Sequence, residues 1–134
     1  MNKLVIIDDD PIDHFLIQHI MQDNNYPNNT TYTMDGSLVL DYIEQNKHQP
    51  ELLPDVIFLD LNMPKFSGWD FLDRFRLLST DLQKDIQVHI LTSSVRPLDK
   101  ERSTQYPFVK SYISKPLNES VIIEMNKEGQ SDLQ

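Results

Sequence analysis

Four aspartates stand where they could act together. Asp8, Asp9 and Asp10 form a row that closes the apolar run Leu4-Val5-Ile6-Ile7, and Asp60 closes a second run, Val56-Ile57-Phe58-Leu59. Thr92 ends a third candidate strand, and Lys115 with Pro116 closes a fourth. Carboxylates crowded into one cleft repel each other and raise each other's pKa unless a cation lies between them. Oxygen-only ligands with room for water are what Mg²⁺ takes. A hydroxyl and an ammonium beside such a metal can bind the remaining oxygens of a phosphoryl group. An acyl phosphate on an aspartate is a known form of covalent catalysis. Each residue alone has a plainer use: an acidic row at a helix start, a strand-ending Asp that caps the next helix, an ordinary β threonine. Their occurrence at successive strand ends is what carries the chemistry.

The elements that position these groups follow from the hydrophobic pattern. Val56 to Leu59 is apolar throughout, which suits a strand covered on both faces, and Leu4 to Ile7 repeats the pattern. Pro11 opens a helix that Asp10 can cap, with Ile12, Phe15, Leu16, His19 and Ile20 at helical spacing to about Gln22. Thr30 to Met34 reads as a polar edge strand. Asp35-Gly36 reads as a turn, and Ser37 as the cap of a helix carrying Leu38, Leu40, Tyr42 and Ile43. Lys47 to Pro54 is a polar loop. A third helix starts at about Ser67 and carries Trp69, Phe71, Leu72, Phe75 and Leu78. Ile86 to Leu91 and Phe108 to Ser114 are strands, flanking a weakly patterned helix from Leu98 to Gln105. Asn118 can cap a last helix with Val121, Ile122 and Met125. Alternating strands and helices imply an α/β fold with a doubly wound parallel sheet of five strands and five helices. Open sheets of this kind bind ligands outside the carboxyl ends of their strands, which is where the aspartates fall.

The totals agree with one soluble domain. The chain has 134 residues, 39% hydrophobic, with 12 basic and 21 acidic residues for a net charge of −9. That balance argues against direct nucleic-acid binding, which needs a basic stripe. Cysteine is absent, which excludes thiol catalysis, disulfides and thiolate metal sites. The apolar N-terminal run is too short for a signal peptide or a membrane span, so a cytoplasmic location is expected. Of the four histidines only His14 and His19 are close in sequence, and five residues apart they do not share a helix face; His14, His19, His48 and His89 are read as structural or surface groups.

Four stretches, Val5-Ile6-Ile7-Asp8-Asp9-Asp10-Pro11, Asp55 to Gly68, Ile90-Leu91-Thr92-Ser93-Ser94 and Tyr112-Ile113-Ser114-Lys115-Pro116, come in order across nearly the whole chain. Together they resemble the receiver domain of two-component response regulators, of the chemotaxis-regulator, stand-alone type. The pattern also looks like the receivers found beside hybrid or phytochrome-type kinases. The resemblance implies a flavodoxin-like fold with strand order 2-1-3-4-5, over residues 1–128 with a tail at 129–134. It implies Asp60 as phosphoacceptor, Asp9 as a direct Mg²⁺ ligand, Asp8 as a ligand through water, and Asn62 as a backbone-carbonyl ligand. Thr92 and Lys115 would contact the phosphoryl group, Tyr112 would be the aromatic that follows Thr92 in the switch, and Ser93 would keep the acceptor accessible. Asp10 falls outside the family's acidic pair and is assigned to capping.

The implied activity is acceptance of a phosphoryl group from a phosphohistidine on a sensor histidine kinase or a histidine phosphotransfer protein. Catalysis would extend only to the protein's own phosphorylation and dephosphorylation. The output would be phosphorylation-dependent binding of a partner protein at the face of the fourth helix, fifth strand and fifth helix, with Tyr106, Phe108 and Tyr112 on or near it. No sequence is left after the last helix for a separate output domain. Two alternatives are a haloacid-dehalogenase-like phosphatase using Asp8 as nucleophile, and a receiver-like interaction module that is never phosphorylated.

Overall fold

The computed structural model describes residues 3–24 and 29–120. Strands β1 (Leu4–Ile7), β2 (Thr30–Thr33), β3 (Val56–Leu59), β4 (Gln87–Thr92) and β5 (Val109–Ser114) form one parallel sheet in the order β2-β1-β3-β4-β5. Helices α1 (Pro11–Asp23), α2 (Gly36–Gln45), α3 (Gly68–Ser79) and α4 (Pro97–Ser103) connect successive strands, and a single 3-10 turn, Pro50–Leu52, lies in the loop before β3. This is the doubly wound α/β fold that the alternation predicts, in the flavodoxin-like strand order that the family resemblance implies. The expected fifth helix, with Val121, Ile122 and Met125, lies outside the described residues.

The two fully apolar strands lie side by side at the centre. Leu4 pairs with Val56 and Ile7 with Leu59, so β1 and β3 end level and Asp8 emerges beside Asp60. On one face of the sheet, α2 and α3 pack Leu40, Ile43, Phe71, Leu72 and Phe75 onto Ile7, Ile57 and Leu59. On the other face, α1 packs Ile17 and Met21 onto Leu4, Ile6 and Phe58.

Helix α1 does not bury the stripe that its spacing picks out. Ile12, Phe15 and Leu16 are 66%, 59% and 46% exposed, and Ile17 and Met21 are buried instead. The helix is apolar on two stripes, and the buried one runs Asp13, Ile17, Met21 at i, i+4, i+8. That stripe carries an acid at its top, which reaches the functional site described below. Leu38 and Tyr42 of α2 are likewise exposed, while Leu40 and Ile43 are fully buried.

Three smaller expectations are also corrected. Helix α2 is capped by Asp35, whose Oδ1 accepts from the Ser37 N–H at 2.9 Å, not by Ser37. Gly36 is the first helical residue rather than a turn, and a Cβ there would lie 3.1 Å from the Phe71 ring. Tyr106 and Phe108 are buried in the main core, so they are not available on the α4–β5 face. Tyr106 is held there by a hydrogen bond from its hydroxyl to Asp73 at 2.6 Å and by Arg76 over its ring.

Candidate functional site

The sheet's own hydrogen bonds continue into the site. The Asp8 N–H donates to Thr33 O at 3.0 Å, the Asp60 N–H to Ile7 O at 2.9 Å, and the Lys115 N–H to Thr92 O at 2.8 Å. The three side chains are thereby fixed by strand ends, not by mobile loops. Behind Asp60, the chain turns back so that the Gly68 N–H donates to Leu61 O at 3.0 Å. A Cβ at position 68 would stand 2.6 Å from both Asp60 O and Leu61 Cα, so only glycine permits that approach. Ser67 then starts α3 with a reciprocal capping box to Asp70.

Asp8, Asp9 and Asp60 each offer an oxygen, and these atoms all lie within 4.8 Å of one another. Asp8 and Asp60 are 1% and 4% exposed, and Asp9 is half-buried. Asp8 Oδ1 accepts from the Asp10 N–H at 2.9 Å. Its Oδ2 is buried without a hydrogen bond; Lys115 Nζ faces it at 3.0 Å as an ion pair only. Burial pushes the Asp8 pKa up to about 7, and the Asp60 charge adds to this against the opposing pull of the Asp10 N–H and Lys115. A buried all-carboxylate cluster with oxygens this close together fits a hard divalent cation with oxygen preference such as Mg²⁺. Asp10 takes no part: its Oδ1 accepts from the Ile12 N–H at 2.9 Å and caps α1 as expected.

Lys115 Nζ is 3.5 Å from Asp60 Oδ2 and donates to Asp13 Oδ2 at 2.6 Å. Burial works to lower the Lys115 pKa, but the carboxylates of Asp13, Asp8 and Asp60 outweigh it and hold it above the usual range. Burial works to raise the Asp13 pKa, and Lys115, together with Asp8 and His14, more than reverses that. Asp13 is the residue that the sequence reading missed. Its signal was there: three residues past the cap of a helix that starts at a strand end, a side chain stays beside the cleft.

Thr92 is fully buried, and its Oγ1 accepts from the Ser94 N–H at 3.1 Å and the Asn62 amide at 3.4 Å. The Asn62 N–H donates to Asp60 Oδ1 at 3.2 Å, so Asn62 links Asp60 to Thr92. Tyr112 lies opposite Ile90 across β4–β5, packs against the main core and buries its hydroxyl without a hydrogen bond. Ser93 is exposed. The histidines play the structural parts expected: His14 bonds the Asp8 carbonyl through Nε2 at 2.6 Å, and buried His89 bonds Ser111 at 2.5 Å. A groove of about 590 Å³ beside β2 and α2 is lined by Lys3, Thr30, Leu38 and Tyr42, and none of the cluster's carboxylates lines it. Among the described residues no helix is long and apolar enough to cross a membrane.

Residues 4–127 match the family model of the response regulator receiver domain. Among solved structures, the phosphorylated cyanobacterial phytochrome response regulator RcpA is 29% identical, with a TM-score of 0.72, covering 92% of this chain and 87% of its own. The Mn²⁺-bound form of response regulator Rcp1 is 26% identical, with a TM-score of 0.71, covering 93% and 88%. The transcriptional regulatory protein HptR of Staphylococcus aureus is 33% identical over 112 residues, 74% of this chain; the match spans only 42% of HptR. With five parallel strands in receiver order and a carboxylate cluster at their ends, this chain belongs to the response regulator receiver domain family.

Proposed function

We propose that the chain is a single receiver unit, residues 1–128 with a tail at 129–134, that accepts a phosphoryl group on Asp60. The donor is a phosphohistidine on a sensor histidine kinase or a histidine phosphotransfer protein in the cytoplasm. The observation that carries this reading is Asp60 itself: a buried carboxylate at a strand end, within 4.8 Å of the Asp8 and Asp9 oxygens and 3.5 Å from an ammonium.

An Asp60 oxygen attacks phosphorus in line with the scissile N–P bond. That bond breaks, its electron pair stays on the imidazole nitrogen, and an O–P acyl phosphate forms. Such transfer needs little covalent help beyond positioning and charge neutralisation. A Mg²⁺ ion, held by Asp8, Asp9, Asp60 and the Asn62 carbonyl, supplies part of that neutralisation when bound. Lys115 and Thr92 bind the phosphoryl oxygens. Thr92 leaves its bonds to Ser94 and Asn62 to do so, and Tyr112 follows into the vacated space, a population shift biased by the new contacts. The altered α4–β5 face then binds a downstream protein. Water attack on the acyl phosphate restores Asp60 and releases inorganic phosphate.

Intact-mass spectrometry after incubation with acetyl phosphate tests the chemistry. One phosphoryl gain is expected in wild type with Mg²⁺, and none without Mg²⁺ or in Asp60→Asn. If wild type gains nothing and also fails to bind beryllofluoride, the interaction-module reading replaces this one. Phosphatase action through Asp8 would show instead as turnover of phosphate monoesters that Asp8→Asn abolishes and Asp60→Asn leaves intact; membership of the receiver family speaks against it.

A further inference from the structure

The lysine of the site is held most closely by a carboxylate that belongs to neither the metal cluster nor the acceptor. Lys115 Nζ lies 2.6 Å from Asp13, 3.0 Å from Asp8 and 3.5 Å from Asp60. Only the Asp13 contact is a hydrogen bond, made between residues 102 apart in sequence. An ammonium has three protons and no more. It cannot fully serve Asp13, Asp8, Asp60 and a phosphoryl group at once.

The cluster able to hold a cation consists of Asp8, Asp9 and Asp60, and Asp13 stands outside it. A divalent cation bound there would offset the negative charge of Asp8 and Asp60 but leave Asp13 its grip on Lys115. A phosphoryl group is a stronger competitor, since it brings up to about two negative charges and three acceptor oxygens. Asp13 projects from the first turn of α1, on the stripe that Ile17 and Met21 fix against the sheet, so its carboxylate is presented by a packed helix.

We propose that Asp13 is a positioning residue that parks Lys115 on the α1 side of the cleft in the resting protein and competes with the phosphoryl group for it. Phosphorylation transfers the ammonium from Asp13 to the phosphoryl oxygens. This inference rests on the phosphoacceptor reading of Asp60 and adds to it a built-in restraint on acceptance.

The test is equilibrium binding of beryllofluoride at saturating Mg²⁺, followed by fluorine NMR on the full chain. Asp13→Asn should tighten beryllofluoride about fivefold, the equivalent of one partly exposed ion pair removed from the competition. Mg²⁺ binding measured without beryllofluoride should stay equal or weaken, because a nearby negative charge is gone. A merely structural role would weaken both. Asp13→Ala should behave like Asp13→Asn and serves if the latter folds poorly, whereas Asp13→Glu should restore the wild-type value. Asp10→Asn is the control for general charge removal, since Asp10 stands in the same acidic row but faces the Ile12 N–H; it should leave beryllofluoride affinity within twofold, a span of about 0.4 kcal/mol. Equal or weaker beryllofluoride binding by Asp13→Asn, or an equal gain in Asp10→Asn, overturns the inference while leaving Asp60 as acceptor. Failure of wild type to bind beryllofluoride overturns the acceptor reading and this inference with it.

Discussion

Helices α1 and α3 both begin at the edge of the functional cleft, and they are held there by different physics. Helix α3 buries Phe71, Leu72, Phe75 and Leu78 in the main core and starts on a glycine pressed against the Asp60 backbone. Helix α1 buries only Ile17 and Met21, leaves three large apolar side chains in water and ties its first turn to the site through Asp13 and Lys115. The side of the cleft behind Asp60 is therefore rigid by packing. The side facing it is fixed by charge, and charge is what a phosphoryl group changes.

The largest effects should fall on the α3 side. Phe71, fully buried and stacked on Phe75, should lose about 3–5 kcal/mol of stability on change to Ala in urea titrations. Leu16→Ala in α1 should stay within about 0.5 kcal/mol of wild type, the value for exposed positions. Comparable losses at both positions would erase the contrast between the helices.

The layer under α1 has its own weak point in His89, whose ring packs on Phe58. Burial, helped by Lys110, drops its pKa from 6.5 to about 4, so the folded protein keeps it neutral where the unfolded chain is protonated. The unfolded state binds the extra proton between these values, so stability is full above pH 6.5 and falls as pH drops toward 4, by about 3 kcal/mol from this group. Chemical denaturation across that range should show the slope, and His89→Gln should flatten it whatever it does to the maximum.

Gly68→Ala sharpens the comparison at the acceptor. The added methyl meets backbone atoms, so we expect about 1–3 kcal/mol of destabilisation by strain. Mass spectrometry should also show slower phosphorylation by acetyl phosphate, because the displaced backbone is that of Asp60. An unchanged rate would mean that the acceptor's position does not depend on the α3 start. Small losses belong to the caps: Asp10→Ala and Ser67→Ala should each cost about 1 kcal/mol in thermal or urea unfolding. Equal values there are informative, since they show that the two helices differ in packing and charge rather than in how they begin.

The strand ends were legible because a buried parallel strand needs a run of apolar residues, and the polar residue that breaks the run must surface at the sheet edge. That logic placed Asp8 and Asp60 at strand ends from their neighbours alone, whereas the mixed strands before Thr92 and Lys115 needed the alternation along the whole chain as well. Asp10 was legible as a cap because its side chain acts on its own next turn, and Ser67 only as the approximate start of a helix. The same logic could not rotate α1. Ile12-Phe15-Leu16 and Ile17-Met21 are both apolar stripes, and which one meets the sheet depends on where the strand releases the chain. For the same reason Tyr106 and Phe108, attributed to a partner-facing surface, proved to be core: an aromatic pattern in a short connection does not say which way it faces.

What the amino-acid sequence determined by itself was the alternating α/β fold and the acids at the carboxyl ends of its central strands, because each depends on local runs and their alternation. Tertiary structure alone decided the grip of Asp13 on Lys115, the closeness of Gly68 to Asp60 and the burial of Tyr106. Each of those is a contact between segments that sequence separates, and its geometry follows from how a helix is turned and how near a backbone can come.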